Sequence, residues 1–393
     1  MSVHARRRAA LEACLLDLAP IWMPSPFCEA RPAWCAAHPE LAEALLALDD
    51  ATLAILSTDA AAAHAFLLPH LPALAPLPAL IDLPQREVAL VPAPERKAAW
   101  HFIPGRKAAQ IDAFAAAVGA PRAPLVEWCA GKGHLGRRFL MAWGGEARAL
   151  ERNAVLCREG EALSVRAGLA QRFTVADVLA EEAAASLAGA HAVALHACGD
   201  LHRHLIDHAG PAGACALDVA PCCYPLGADD HYRPRGGASA LHLDRNALRL
   251  AVTETVTASP RLAAQSERLS AWKLAFVALR EAHAPRAPYR TFKPVPAAWS
   301  SRDFAFFLQS LAAREDLPLD PGLDCAAAEA AGWARHRAAR RLQLPRLACR
   351  RAIEMWLLND LALALENDGF EARLHRFCPH TLTPRNVIVS ARR

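Results

Sequence analysis

Lysine is nearly missing from this chain. Lys97, Lys107, Lys132, Lys273 and Lys293 are the whole complement, so arginine supplies almost all of the positive charge. In a sequence so rich in alanine and leucine, a biased genome accounts for this at least as well as selection for phosphate-gripping guanidinium groups. The net charge of +4 permits an anionic partner such as RNA without demanding one. Long unbroken apolar runs are missing too. The most membrane-like stretch, residues 61–81, is interrupted by Pro69, Pro72, Pro76 and Pro78 and carries His64 and His70, so no transmembrane segment is expected. Glu12 and Asp17 break the apolar run that a secretory leader would need after Arg6-Arg7-Arg8. The twelve cysteines include no C-x-x-C pair and form no short, regular framework. A reducing, cytoplasmic setting is therefore expected, with the cysteines in packing roles and no metal.

What is present is the composition of a globular chain. With 393 residues, 54% hydrophobic and 21% charged, it has room for one large domain with additions or for two domains. Residues 1–84 read as an N-terminal helical accessory domain, alanine-rich with apolar positions at three- and four-residue spacing, closed by a proline-studded run. Residues 85–284 read as the core, and residues 285–350 as a helical insertion introduced by Pro285, Pro288, Pro294 and Pro296. A C-terminal helix and the last two strands of the core complete it over residues 351–393.

Within the core, a short strand is expected at residues 87–91. A helix after Pro94, through Arg106, Lys107, Gln110, Ile111 and Phe114, then leads to the stretch Leu125-Val126-Glu127-Trp128-Cys129-Ala130-Gly131-Lys132-Gly133-His134-Leu135-Gly136. Short apolar runs follow at residues 147–150, 172–175, 191–195 and 214–219, separated by helical patterns at residues 153–167, from about Leu179, and at residues 201–208. This alternation predicts an α/β fold: a Rossmann-like, mostly parallel sheet with helices on both faces. Further helical patterns occupy residues 240–255 and 262–282, and residues 370–377 and 386–390 are expected to pair as an antiparallel edge hairpin.

The glycine stretch reads as a buried strand, a tight turn and a helix start. Gly131 and Gly133 remove side chains where the backbone turns and a ligand approaches, and Gly136 lets the helix pack near the strand. Read literally it matches G-x-G-x-x-G, by itself a weak dinucleotide signal. Glu127 argues otherwise, because a carboxylate beside that turn repels a pyrophosphate and favours a cation. S-adenosylmethionine (SAM), with its sulfonium and ammonium groups, is such a cation. The next two strand ends carry acids as well: Glu151, at the distance suited to ribose hydroxyls, and Asp177, followed by Val178. Each alone would pass for a helix N-terminal carboxylate. Three at successive strand ends point to one cofactor rim.

An acid followed by alternating glycines resembles the first motif of the class I SAM-dependent methyltransferases, with Cys129 where the first glycine is usual. The fourth strand ends in Leu195-His196-Ala197-Cys198-Gly199-Asp200-Leu201-His202 and the fifth in Leu217-Asp218-Val219-Ala220-Pro221-Cys222-Cys223-Tyr224. With the closing run Leu382-Thr383-Pro384-Arg385-Asn386-Val387-Ile388-Val389, these resemble the methyltransferase group that includes the eukaryotic tRNA 2′-O-methyltransferases acting on the acceptor stem and several methyltransferase-like proteins. The resemblance spans residues 106–389, is dense up to Tyr224 and thin over residues 226–350. It implies SAM as cofactor, held by Glu127, Cys129, Ala130, Gly131, Gly133, His134, Glu151, Asp177, Val178 and His196. In that family the acid at the Asp177 position bonds the adenine amino group. The resemblance also implies an RNA substrate, tRNA among the candidates.

Methyl transfer needs alignment above all, and a proton acceptor only where the acceptor is a hydroxyl or ring nitrogen. His196 and Asp200 are best placed for that, although each also fits a plain capping role. Cys222 is a candidate nucleophile towards a pyrimidine ring, and Cys198, Cys222, Cys223, Cys378 and His380 a candidate metal set. Both rank below packing of the pocket wall, and Tyr224 is a candidate for stacking on the acceptor or the methionine arm. Arg335, Arg337, Arg340, Arg341, Arg346, Arg350 and Arg351 lie in a stretch with no acid between Glu329 and Glu354. That stretch, residues 335–351, is either a solvated face or a phosphate-binding surface for RNA. Competing functions are a protein or small-molecule methyltransferase, an NAD-dependent oxidoreductase and a non-catalytic RNA-binding scaffold.

Overall fold

The computed structural model describes residues 1–86, 103–253, 260–284 and 290–393. The expected strand at residues 87–91 lies outside the described residues, as do the segment just after Pro94 and the prolines Pro285 and Pro288.

Seven strands form one sheet: β1 Leu125–Trp128, β2 Ala147–Glu151, β3 Gln171–Val175, β4 His191–Cys198, β5 Ala216–Cys222, β6 Glu371–Arg376 and β7 Val387–Arg392. Their order is β3-β2-β1-β4-β5-β7-β6. The first five are parallel, while β7 runs antiparallel to both β5 and β6. This is a Rossmann-like α/β fold. The last two strands pair as the expected antiparallel edge hairpin, with β6 at the edge and β7 between it and β5. Composition suits those places: Val387, Ile388, Val389 and Ala391 are buried on both faces, whereas β6 alternates Glu371 and Arg373 outward with Ala372 and Leu374 inward.

Helices α1 Gly105–Val118, α2 His134–Trp143, α3 Ala154–Ala167, α4 Asp200–Ala209 and α5 Arg350–Asn367 belong with this sheet. Ile111 and Phe114 of α1 and Leu135 and Phe139 of α2 share one core with Leu125, Val193, Ala220 and Ile388. Each large apolar side chain buried there contributes about 1.5–3 kcal/mol. That core fixes the carboxyl ends of β1 and β4 relative to α1, and so positions the site.

The chain divides into two compact units: Met1–Leu16, Pro76–Val256 and Arg350–Arg393 in the first, and Asp17–Ala75 and Thr257–Cys349 in the second. The compact units therefore break after residues 16, 75, 256 and 349, the last within one residue of the boundary expected at 350. Met1–Leu16 joins the sheet unit because its polar side chains are answered there. Arg8 pairs with the buried Asp360 at 3.1 Å, and His4 Nδ1 meets Asn359 Oδ1 at 3.0 Å. Glu12 accepts from Ser239 and from the Ala240 amide. The remaining N-terminal helices cluster with the insertion, and so does the helix Pro260–His283, expected in the core. In this second unit Trp272, Phe276, Phe304, Phe307 and Leu311 form a separate apolar cluster. Gly332 lets Cys325–Leu342 approach closely, since a Cβ there would stand 2.6 Å from the Ala271 carbonyl oxygen. The pattern at residues 240–255 gives only the seven-residue helix Arg245–Ala251, capped by Asp244; residues 254–259 are outside the described residues.

Candidate active site

β1 carries Glu127 and Trp128 to the carboxyl edge of the sheet, where ligands sit in folds of this kind. The chain then turns through Cys129 at φ 58° and Gly131 at φ 57° to Gly133, which precedes α2 at φ 69°. A Cβ on Gly131 would meet open space; on Gly133 it would stand 2.5 Å from Phe173, and on Gly136 2.6 Å from Glu127 Oε2. Gly131 is thus required by its left-handed backbone, while Gly136 is required by close packing and Gly133 by both.

Glu127 is fully buried, and its Oε2 accepts from the Gly136 amide at 2.9 Å and from Gln171 Nε2 at 3.0 Å. Burial pushes its pKa up to about 7 against the pull of the Gly136 and Leu135 amides, Arg137 and Lys107. A carboxyl so placed gains from an arriving cation. Arg137 anchors the turn by donating to the Lys132 carbonyl and to His134 Nδ1, each at 2.6 Å. Burial, with Arg137, Lys107 and Lys132 nearby, lowers the His134 pKa to about 3, so its ring is neutral.

The second acid touches the same turn. Glu151 Oε2 accepts from the Gly131 amide at 2.9 Å and Oε1 from the Asn153 amide at 2.8 Å, while Asn153 caps α3. The third, Asp177, is exposed and accepts from the Leu179 amide at 3.0 Å, with Val178 buried beside it. Burial, and then Glu151, Cys198 and Asp177, push the Cys129 thiol up to about 12. Both acids therefore act on the loop that carries Cys129.

An open cleft of about 520 Å³ is lined by Glu127, Cys129, Ala130, Gly131 and His134 from the turn, by Leu195 and His196 from β4, and by Lys107, Gln110 and Ile111 from α1. His196 has a left-handed backbone, φ 65°, in the stretch where the β4–β5 register shifts. Gln110 Nε2 donates to the Leu382 carbonyl at 3.1 Å, so its Oε1 faces His196 Nε2 at 3.0 Å and accepts that proton. The ring's Nδ1 is left as an acceptor, and burial lowers its pKa. Gln110 and Gln171 were not singled out from the sequence: a lone glutamine in a helix or strand carries no motif.

Three of the expected catalytic residues have surroundings that the sequence does not show. Asp200 caps no free site: Arg203 Nη1 at 2.7 Å and the Ala228 amide at 2.7 Å hold its carboxylate. Burial works to raise its pKa, yet these partners outweigh it and leave a weak base. Tyr224 is fully buried edge-on to His202, with ring centroids 5.6 Å apart, and so is closed to stacking on an acceptor. Cys222 is buried too. The thiols of Cys198 and Cys223 raise its pKa, whereas hydrogen bonds from Cys198 and Cys222 stabilise the thiolate of Cys223, making Cys222 the poorer nucleophile. The Sγ atoms of Cys198, Cys222 and Cys223 lie within 4.8 Å of one another, and Cys378 and His380 do not join them.

The arginine stretch lacks acids only in sequence. Arg335 grips Glu281 with both nitrogens, at 2.6 and 2.9 Å, Arg340 pairs with Glu267 at 2.8 Å, and Arg341 with Asp50 at 2.8 Å. Arg346 is buried and donates to the Trp22 and Met23 carbonyls, and Arg351 pairs with Glu354. Five of these arginines are therefore committed to their own chain. Folding supplies partners that linear distance hid.

Residues 106–227, from α1 to just beyond β5, match a family model described as a methyltransferase domain. No curated protein matches the chain. The matched residues contain every side chain that lines the cleft. The match supports a methyltransferase.

Proposed function

We propose that this chain is a SAM-dependent methyltransferase whose donor occupies the cleft at the carboxyl ends of β1 and β4. The observation that carries the reading is that Glu127 and Glu151 both accept from amides of one glycine turn within the matched domain, with the charge of Asp177 reaching Cys129 of the same turn. The side chains that line the cleft offer the cofactor Glu127 for its positive charge, a bare backbone at Gly131 and Lys107 for its carboxylate, while Glu151 and Asp177 are not among the lining residues and stand beside the turn. When bound, SAM supplies a methyl carbon activated by the sulfonium, so alignment of the acceptor is most of the remaining task. Glu127 holds the positive end, Glu151 and Asp177 hold the nucleoside end, and neutral His196, fixed by Gln110, takes or orients the acceptor proton at Nδ1.

The acceptor we propose is RNA, with tRNA first to be tried. The mild net positive charge and the family-like runs at the ends of β4 and β5 support this choice. Isothermal titration with SAM and with NAD tests the cofactor: micromolar SAM binding is expected, and tight NAD binding without SAM binding would overturn the enzyme class. Labelled methyl transfer into total cell extract, split by nuclease and by protease, tests the acceptor. Label lost to nuclease is expected; label lost only to protease would move the substrate to protein.

A further inference from the structure

We infer that Cys198, Cys222 and Cys223 form a binding site for a thiophilic metal ion, Zn²⁺ by its chemistry, held by three thiolates with its fourth position open to an exogenous ligand. Two strand ends cooperate to bring the sulfurs together. Cys198 and Cys222 are register partners across β4 and β5, and their Sγ atoms are 3.3 Å apart. Adjacent residues in a strand point to opposite faces, so Cys222 and Cys223 would ordinarily diverge. Cys223 adopts φ 48° instead, and its Sγ joins the other two within 4.8 Å.

Four sulfur ligands about 2.3 Å from zinc stand about 3.8 Å from one another, inside the range these three already span. The left-handed backbone at Cys223 is what turns its sulfur towards the other two, and a soft cation would draw on all three at one point. Each thiol would release its proton to solvent on coordination. Among the described residues no further His, Cys, Asp or Glu joins the trio. Three protein ligands with one exchangeable position is the arrangement of reactive zinc, whereas structural zinc is closed by four. Cys198 follows two residues after His196, which lines the cleft, so the ion would sit beside the proposed donor site without depending on that assignment.

The test uses the full chain, kept reduced, stripped with a chelator and titrated with Co²⁺ as a spectroscopic stand-in. One equivalent is expected to bring up intense sulfur-to-cobalt charge-transfer bands and the visible bands of a tetrahedral ion, both abolished by one equivalent of Zn²⁺. Cys198→Ser, Cys222→Ser and Cys223→Ser should each weaken Zn²⁺ by more than about 100-fold, while Cys28→Ser leaves it unchanged. Cadmium-113 NMR on the unaltered protein, which counts thiolate ligands by chemical shift, covers the case in which a serine variant fails to fold. Absence of stoichiometric thiolate bands, a cadmium shift without three sulfurs, or undiminished binding in folded serine variants would overturn the proposal.

Discussion

Two buried ionic clusters share the sheet and are built in opposite ways. Midway along β5, fully buried Asp218 accepts from His191 Nε2 at 2.7 Å, from Arg392 Nη2 at 2.6 Å and from the Ser390 hydroxyl. His191 Nδ1 in turn accepts the Arg122 amide at 3.3 Å, which places the ring proton on Nε2, facing Asp218. None of these residues has a left-handed backbone. At the carboxyl ends of β1, β4 and β5, by contrast, Cys129, His196 and Cys223 all do, at about 1–3 kcal/mol each. There Glu127 is buried with its charge incompletely compensated. The satisfied cluster is scaffold. The strained, under-compensated one is where the proposed donor would have something left to complete.

The largest effect should come from breaking the scaffold. Asp218→Ala leaves the His191 ring and the Arg392 guanidinium without their acceptor, and a loss of about 3–5 kcal/mol in urea denaturation is expected. SAM affinity of the folded fraction should change little. Burial tends to raise the Asp218 pKa, but its three donors outweigh that and hold it low. Its contribution is therefore present above the unfolded carboxylate value and lost as pH falls through the lower folded one. If Asp218→Ala costs under about 1 kcal/mol, the division between the clusters fails.

Glu127 should show the opposite pH sign. Its folded pKa of about 7 lies above the ordinary carboxylate value of 4.5, so the folded protein holds a proton that the unfolded chain releases in that window. Stability should fall as pH rises from 4.5 to 7 and level off above, a span of about 3 kcal/mol at roughly 1.4 kcal/mol per tenfold change in proton affinity. Glu127→Gln, which keeps an acceptor for Gly136 and Gln171, should flatten that slope in denaturation curves across the window. It should also weaken SAM binding at pH 8, where the native carboxylate would face the sulfonium. An unchanged slope would place the source of strain elsewhere.

These contrasts also explain what could be read before the fold was known. The strands carrying Glu127, Glu151, Asp177 and His196 were legible because a buried parallel strand is a short apolar run and its ligand-facing acid stands at its end. The partners of those residues were not. Gln171 meets Glu127 across 44 positions and Gln110 meets His196 across 86, and no periodicity reports contacts of that kind. The partners of the arginine stretch were hidden for the same reason, since Glu267, Glu281 and Asp50 reach it only through helix packing. The arrival of Met1–Leu16 in the sheet unit likewise depends on Asp360 and Asn359, more than 340 residues away. That Cys198, Cys222 and Cys223 converge without Cys378 and His380 is likewise hidden, because the left-handed turn at Cys223 is invisible in sequence.

Glu151→Ala should act on binding more than on folding. It removes the acceptor for two amides, Gly131 and Asn153, at a partly exposed position, and a stability loss of about 1 kcal/mol is expected. The ribose would lose a charged hydrogen-bond acceptor worth about 1.5–3 kcal/mol, which titration should read as SAM affinity reduced about 10- to 100-fold. Asp177→Ala, whose carboxylate already faces water, should weaken binding less. Equal affinities for both variants and the parent would remove the nucleoside end of the site.

The smallest effect is expected at Cys129→Gly, and it bears most directly on what strain does here. Glycine takes φ 58° without penalty and would restore the residue most usual in the motif that this turn resembles. The gain from relieved backbone strain is opposed by a greater loss of chain freedom and by the loss of a half-buried thiol, so stability should stay within about 1 kcal/mol of the parent. The thiol is held neutral by burial and by the acids around it, so its removal should leave SAM affinity within about threefold. If affinity instead fell by tenfold or more, the Cys129 side chain would itself contact the donor, and the strain at this turn would belong to recognition and not to the path of the chain.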